Sequence, residues 1–334
     1  MGAATRGSGI CTGGRRRRPL GVRKKFRIVT IGTINRDTIY TPDGTVTESY
    51  GGLLYTVLAL ASLCPKATVY PVCNVGEDVW EAVTSLLFSM PSIQVDGVRK
   101  VRGKNNHIRI IYDREGKKQE VLEGGVPPLE WGQLKPFLDA EVFCINFISG
   151  FEISLRVLRE LRGKSTGLFL MDFHSLSLGL APDGRRFPRR PEDWREWVAL
   201  TDVVQMNELE AELLAGEPME GKGPLRRFGE EVLALGPQAL CVTLGARGSL
   251  LAERTSGKVR TGEFPALPVD PVDTTGCGDV FLAGFTVEYV RTGDARRASW
   301  FANIAAGWNA ALRGIEEVWR LGELTGSGPQ KVSE

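Results

Sequence analysis

Seven residues, Asp273-Thr274-Thr275-Gly276-Cys277-Gly278-Asp279, run straight into the apolar stretch Val280-Phe281-Leu282-Ala283-Gly284-Phe285. The order predicts a glycine-punctuated turn against the start of an apolar helix, with a carboxylate in that helix's first turn. The first N–H groups of a helix have no partners inside it and form a natural seat for phosphate oxygens. A carboxylate would be repelled by such an anion unless it has a task there, such as taking a proton from an attacking hydroxyl. A turn that holds a phosphoryl group beside a base is the central part of a kinase. Cys277 falls at the same helix N-terminus, a position that can lower a thiol's pKa.

Other phosphate-loop patterns fail on spacing. Gly163-Lys164-Ser165 ends like a Walker loop, but position 158 is leucine where glycine is required, and the segment lies between a helix and a strand in the wrong order. Gly276-Cys277-Gly278 lacks the third glycine of a dinucleotide fingerprint, because position 281 is phenylalanine. With only His107 and His174, far apart, a histidine-based metal site is not expected.

The elements that must position these residues follow from periodicity. Short apolar runs at Arg27–Ile31, 67–72, 141–146, Leu168–Asp172, 203–206 and 239–244 read as strands. Helical spacing covers Leu53–Leu63, 78–88, 152–161, 207–215, 225–235, 280–290 and 295–312. Strands alternating with helices argue for a mostly parallel sheet covered on both faces, a three-layer αβα sandwich. Two segments break the rhythm. Residues 38–50 contain Pro42-Asp43-Gly44 between β-formers, and 93–122 carry several strand-like pieces with Arg114-Glu115-Gly116-Lys117 as a turn. Together they predict a small β-sheet lid over a cleft. Arg185 to Arg195, rich in Pro and Arg, reads as a loop.

The chain has 334 residues, is 42% hydrophobic and 25% charged, and carries a net charge of +2, which suits a soluble globular enzyme. The charge is uneven: Arg15 to Arg18, Arg23, Lys24, Lys25 and Arg27 form a basic block. Residues 1–25 are set aside as a disordered basic tail, with nucleic-acid binding as the competing reading. No apolar run of about 18 residues predicts a membrane span, and the leader lacks a secretory core. Six scattered cysteines without C-x-x-C spacing favour reduced thiols and a cytoplasmic location.

Four elements in order resemble the ribokinase-like (PfkB) carbohydrate kinases from Arg27 to about Gly314. Residues 273–285 fit the signature D-T-x-G-A-G-D with Cys277 for alanine. Asn207-Glu208-Leu209-Glu210 is similar to the N-x-x-E element, Thr243 to Gly248 to the T-L-G-x-x-G loop, and Gly32 to Asp37 to the sugar-facing G-S-x-N-x-D segment. The resemblance implies one kinase domain over 26–320, with lid segments at about 38–50 and 93–124, and a flexible tail at 321–334. It implies Asp279 as catalytic base, with the amides of Gly276, Cys277 and Gly278 receiving the phosphoryl charge. It places Asn207, Thr243, Gly245, Gly248 and Asn303 at ATP, and Glu210 on Mg²⁺ through water. Asn35, Asp37, Gly51 and Gly52 would meet a small polyhydroxylated substrate, and the lid would support a homodimer. Two positions depart from the pattern, Thr56 for asparagine and Glu81 for glycine, so the acceptor need not be ribose. A nucleoside kinase or an inactive ligand-binding relative on the same fold are the alternatives.

Overall fold

A computed structural model describes residues 26–115, 117–219 and 222–326. The basic block at 15–25, Cys11 and the last eight residues lie outside the described residues. The chain opens with β1 (Arg27–Ile31) and the hairpin β2 (Ile34–Tyr40) and β3 (Val46–Gly52), which feeds α1 (Leu53–Leu63). Next come β4 (Thr68–Gly76), α2 (Trp80–Phe88), β5 (Val98–Val101) and a second hairpin, β6 (His107–Tyr112) and β7 (Lys118–Glu123). The short α3 (Trp131–Leu134) precedes β8 (Val142–Asn146), α4 (Leu155–Lys164) and β9 (Leu168–Asp172). A ribbon of β10 (Leu178–Leu180) and β11 (Arg186–Pro188) leads to α5 (Trp194–Ala199), β12 (Val203–Asn207) and α6 (Glu208–Ala215). The rest is α7 (Lys222–Ala234), β13 (Ala239–Thr243), β14 (Ser249–Thr255), β15 (Lys258–Phe264), α8 (Cys277–Thr292) and α9 (Ala295–Ala310), closed by a 3₁₀ segment at Ile315–Thr325.

The main sheet has the order β15-β14-β13-β12-β9-β8-β1-β4-β5, parallel from β13 through β5 and antiparallel at the β13-β14-β15 end. Alternation along each strand divides the core cleanly. Val142 and Cys144 pack with α1, α8 and α9, whereas Phe143 and Ile145 pack with α4 to α7. The α/β sandwich is therefore as its periodicity predicts. Strand order reverses at β1, whose neighbours are β8 and β4. Open α/β sheets bind ligands outside the carboxyl ends of strands at such a switch point.

A second sheet, β3-β2-β6-β7, forms the expected lid. Its limits differ from the sequence reading: the first hairpin begins at Ile34, and β5, assigned to the lid, instead extends the main sheet beside β4. With four residues and no buried side chain, β5 carries no periodic signal and takes its place from its partner strand. The stretch read as a loop at 185–195 contains β11 and the start of α5, where Trp194 is fully buried. Residue 184 accepts from Leu122 N–H and Arg185 bridges Val121, so this ribbon clips onto lid strand β7. Leu321 is also fully buried, so the folded body extends past the tail boundary placed at 320.

Candidate active site

The turn before α8 is fixed from three sides. Thr275 N–H donates to Asp273 Oδ1 at 2.8 Å, Asn309 Nδ2 on α9 donates to Thr275 O at 3.0 Å, and Gln205 Nε2 on β12 donates to Gly278 O at 2.8 Å. Gly276 has φ +73°, and a Cβ there would overlap the ring of Tyr55, so glycine is required twice over. Gly278 is exposed, and among the described residues no acceptor faces the N–H of Gly276 or Gly278. Cys277 N–H instead turns back to Thr274 O at 3.3 Å. Two of the three expected amides are thus open to an anion. The Cys277 thiol does not fit the low-pKa expectation: it points inward to Ala306 O at 3.4 Å, and burial raises its pKa.

Asp279, in the first turn of α8, sits beside Asn146 at the carboxyl end of β8, next to the sheet's switch point. Its Oδ1 accepts from Asn146 Nδ2 at 3.1 Å and from Thr56 Oγ1 at 3.4 Å, while Asn146 also donates to Thr56 at 2.9 Å. The residue is half-buried. Burial pushes its pKa up to about 6, against the pull of His174 and the hydrogen bonds of Asn146 and Thr56. Thr56, the departure noted above, therefore stands at the base itself. Glu81, the other departure, is exposed in the first turn of α2.

Asp37 faces this base from lid strand β2. It is only 6% exposed, yet its carboxylate has no hydrogen-bond partner among the described residues. Burial raises its pKa to about 7, Glu120 and Asp279 add to the effect, and Lys118 opposes it. Gly51 in the paired strand is a forced choice, since a Cβ would overlap Asp37 Oδ2. Gly52, at φ +63°, brings the backbone within reach of Thr33 O and Ile148. Asn35 is buried with its Oδ1 unpartnered. The acceptor-side residues read from the sequence are therefore brought together.

On the donor side, Asn207 caps α6, its side chain accepting from Glu210 N–H at 2.9 Å. Glu210 is buried, not solvated, and accepts from Asn207 N–H at 2.8 Å, Asn207 Nδ2 at 2.5 Å and His174 Nδ1 at 2.9 Å. A carboxylate offers about four acceptor directions. The fourth direction has no protein partner among the described residues and is the one through which Glu210 could hold a metal-bound water. Among the described residues no group of three or more His, Cys, Asp or Glu could hold a metal directly. Burial lowers the His174 pKa, but the hydrogen bond and charge of Glu210, with Asp172 and Glu120, outweigh it and raise the value to about 10. Thr243 ends β13, and Gly245 (φ +59°) and Gly248 (φ +97°) make the turn into β14. Asn303, placed at the adenine pocket by resemblance, is buried and donates to Ser249 Oγ at 2.8 Å and Ser299 O at 3.0 Å. It braces that loop from behind.

Known proteins share the sequence pattern and the fold of this chain. Residues 183–318 match the pfkB family carbohydrate kinase profile. The chain is 31% identical over 270 residues to the cytidine kinase of Thermococcus kodakarensis, covering 79% of this chain and 88% of that one. The chain belongs to the pfkB family. It is also 32% identical over 263 residues to the ribokinase of Arabidopsis thaliana, covering 75% of this chain and 65% of that one. The ribokinase structure from Thermotoga maritima superposes with a TM-score of 0.70 over 90% of this chain and 99% of that one, at 20% identity. Arabidopsis ribokinase complexed with ribose and ATP gives 0.69, also at 20% identity. As a pfkB kinase the protein is a phosphotransferase acting on an alcohol-bearing substrate, with ATP-dependence supported by the same relatives.

Several residues of this candidate site in the pfkB chain were not singled out from sequence. Asn146 and Asp172 end apolar strands with a polar residue, and they pair in register, as do Asn207 and Thr243. A polar residue at the carboxyl end of a buried strand was a readable signal. Lys118 and Glu120, ion-paired on β7, and His174 gave none, because only the tertiary fold brings them to Asp37 and Glu210.

Proposed function

We propose that the protein transfers the γ-phosphoryl group of ATP to a hydroxyl of a small sugar or related polyol. The observation that carries this reading is Asp37, a buried carboxylate without a partner, facing the partly exposed Asp279 as the base. A carboxylate left unpaired in the protein is costly, and substrate hydroxyls supply the missing donors. Asp279 takes the proton of the attacking hydroxyl as its oxygen bonds to the γ-phosphorus and the bond to the β-phosphate oxygen breaks. The N–H groups of Gly276 and Gly278 receive charge on the transferring phosphoryl oxygens, a preorganised electrostatic contribution. Mg²⁺ arriving with the nucleotide would supply neutralisation of phosphate charge, and Glu210 would help hold it through a water. Asn207, Thr243, Gly245 and Gly248 border the nucleotide.

A nucleoside acceptor is favoured by one feature of the lid. Ile39, Ile108 and Ile110 share the face of Asp37 by strand register, giving an apolar roof suited to a base. A panel of sugars, cyclitols and nucleosides, each with ATP and Mg²⁺ and read by ADP release, separates the two. Stimulated release with a polyol, weakened at least tenfold in KM by Asp37→Asn, is expected. ATP binding without turnover on any acceptor would make the protein a ligand-binding relative instead.

A further inference from the structure

A second cavity lies at the far ends of the helices that carry the active-site turn. The last turns of α8, the first turns of α9 and the end of α1 bound a groove of about 760 Å³. Small-molecule sites span roughly 300–1,000 Å³. Asp279 and Val290 are eleven residues apart on α8, roughly 16 Å along its axis, so the groove is separate from Asp279, although its wall residue Phe264 reaches Asn303 and the Gly248 turn through its carbonyl.

Its lining has two parts. Leu63, Cys64, Val287 and Val290 make an aliphatic floor, and Phe26, Phe264, Phe301 and Trp300 supply aromatic walls. Trp300 is 52% exposed, a large apolar ring left open on the surface. The rim carries Lys66, Arg291, Arg296 and Arg297 against a single carboxylate, Glu288. Glu288 is buried and already paired with Arg291 and Arg297. Within the lining four cations stand against one carboxylate, with Glu253 beyond it facing Arg296, so the rim above the apolar floor remains positive.

We propose that this groove binds a small amphipathic anion, a ring-containing apolar body carrying a carboxylate or phosphate. The aromatic walls bury the body and the rim cations meet the head group. The chain's own N-terminal segment, with Arg15 to Arg18, Arg23, Lys24 and Lys25, has the wrong sign of charge for this rim.

The test titrates the full chain with 2-naphthoate and with its uncharged analogue 2-naphthalenemethanol by isothermal calorimetry. Naphthoate is expected to bind one-to-one, with the alcohol at least tenfold weaker. The double reversal Lys66→Glu/Arg297→Glu, on exposed side chains, should weaken naphthoate at least tenfold, and Trp300→Ala should weaken both compounds. Saturating ATP and Asp279→Asn should leave naphthoate affinity within twofold, so a failed kinase assignment would not affect this result. Absence of saturable binding, equal affinity for the alcohol, displacement by ATP, or binding that emerges only after residues 1–25 are removed would each overturn the proposal.

Discussion

Asp279 and Asp37 both titrate well above an ordinary carboxylate, and the two shifts act on different observables. As the proposed base Asp279 must be ionised to accept a proton, and burial raises its pKa to about 6. The kcat/KM of the free enzyme should therefore rise with pH through about 6, and a pH-rate profile checks this. Asp279→Asn should lower kcat at least a hundredfold while ATP affinity, measured by calorimetry, changes little. For Asp37 the sign concerns stability. Its pKa is about 7 in the folded protein and about 3.9 in the unfolded chain. The proton is thus favoured by folding, and the stability it contributes is fully present below about pH 4 and lost as pH rises through about 7. The loss is on the order of a few kcal/mol. Asp37→Asn should accordingly raise the melting temperature at pH 8, with the difference from wild type closing near pH 4, while acceptor binding is lost.

At the scale of elements, the start of α8 and the cap of α6 do different jobs with similar residues. A Cβ on Gly276 meets positive φ and the Tyr55 ring, whereas one on Gly278 meets only Gln205 Nε2 at 3.8 Å, an ordinary contact. Gly276→Ala should cost stability and turnover together. Gly278→Ala should keep the wild-type melting temperature but lose turnover, because the new methyl stands at an amide proposed to receive the phosphoryl oxygens; unfolding scans and initial rates distinguish the two. Serine is as good a helix cap as asparagine. Asn207→Ser should therefore leave the melting temperature nearly unchanged while raising KM for ATP about tenfold, and an unchanged KM would leave Asn207 a cap alone. The same scale shows where sequence patterns stop. The residue limits of α1 were readable because eleven consecutive residues are buried between sheet and helices. β5, β10 and β11 were not, since strands of three or four residues have no period of their own.

For the whole molecule, the lid and the body close on each other through β11. The bridge between Val121 and Arg185 and the bond from Leu122 to Gly184 tie lid strand β7 to the ribbon. Removing residues 1–25 should leave kcat and KM within twofold, since the site is built from residue 33 onward; steady-state kinetics checks this. If the basic block binds nucleic acid, the same deletion should abolish salt-sensitive retention on immobilised DNA. Among the described residues no helix is long and apolar enough to cross a membrane, and Cys64, Cys73, Cys144, Cys241 and Cys277 are free thiols.

Local order in the chain determined the alternating architecture, the glycines that backbone angles demand, and the placing of Asp279 in the first turn of α8, because each depends on neighbours within one turn of helix or one strand. Only the tertiary structure decided that Thr56 and Asn146 hold Asp279, that Glu210 is buried against His174, that Cys277 points inward, and that Lys118 and Glu120 reach Asp37. Those contacts join residues far apart in the chain, and a carboxylate's charge state is set by the sum of burial and such neighbours, which no local pattern records.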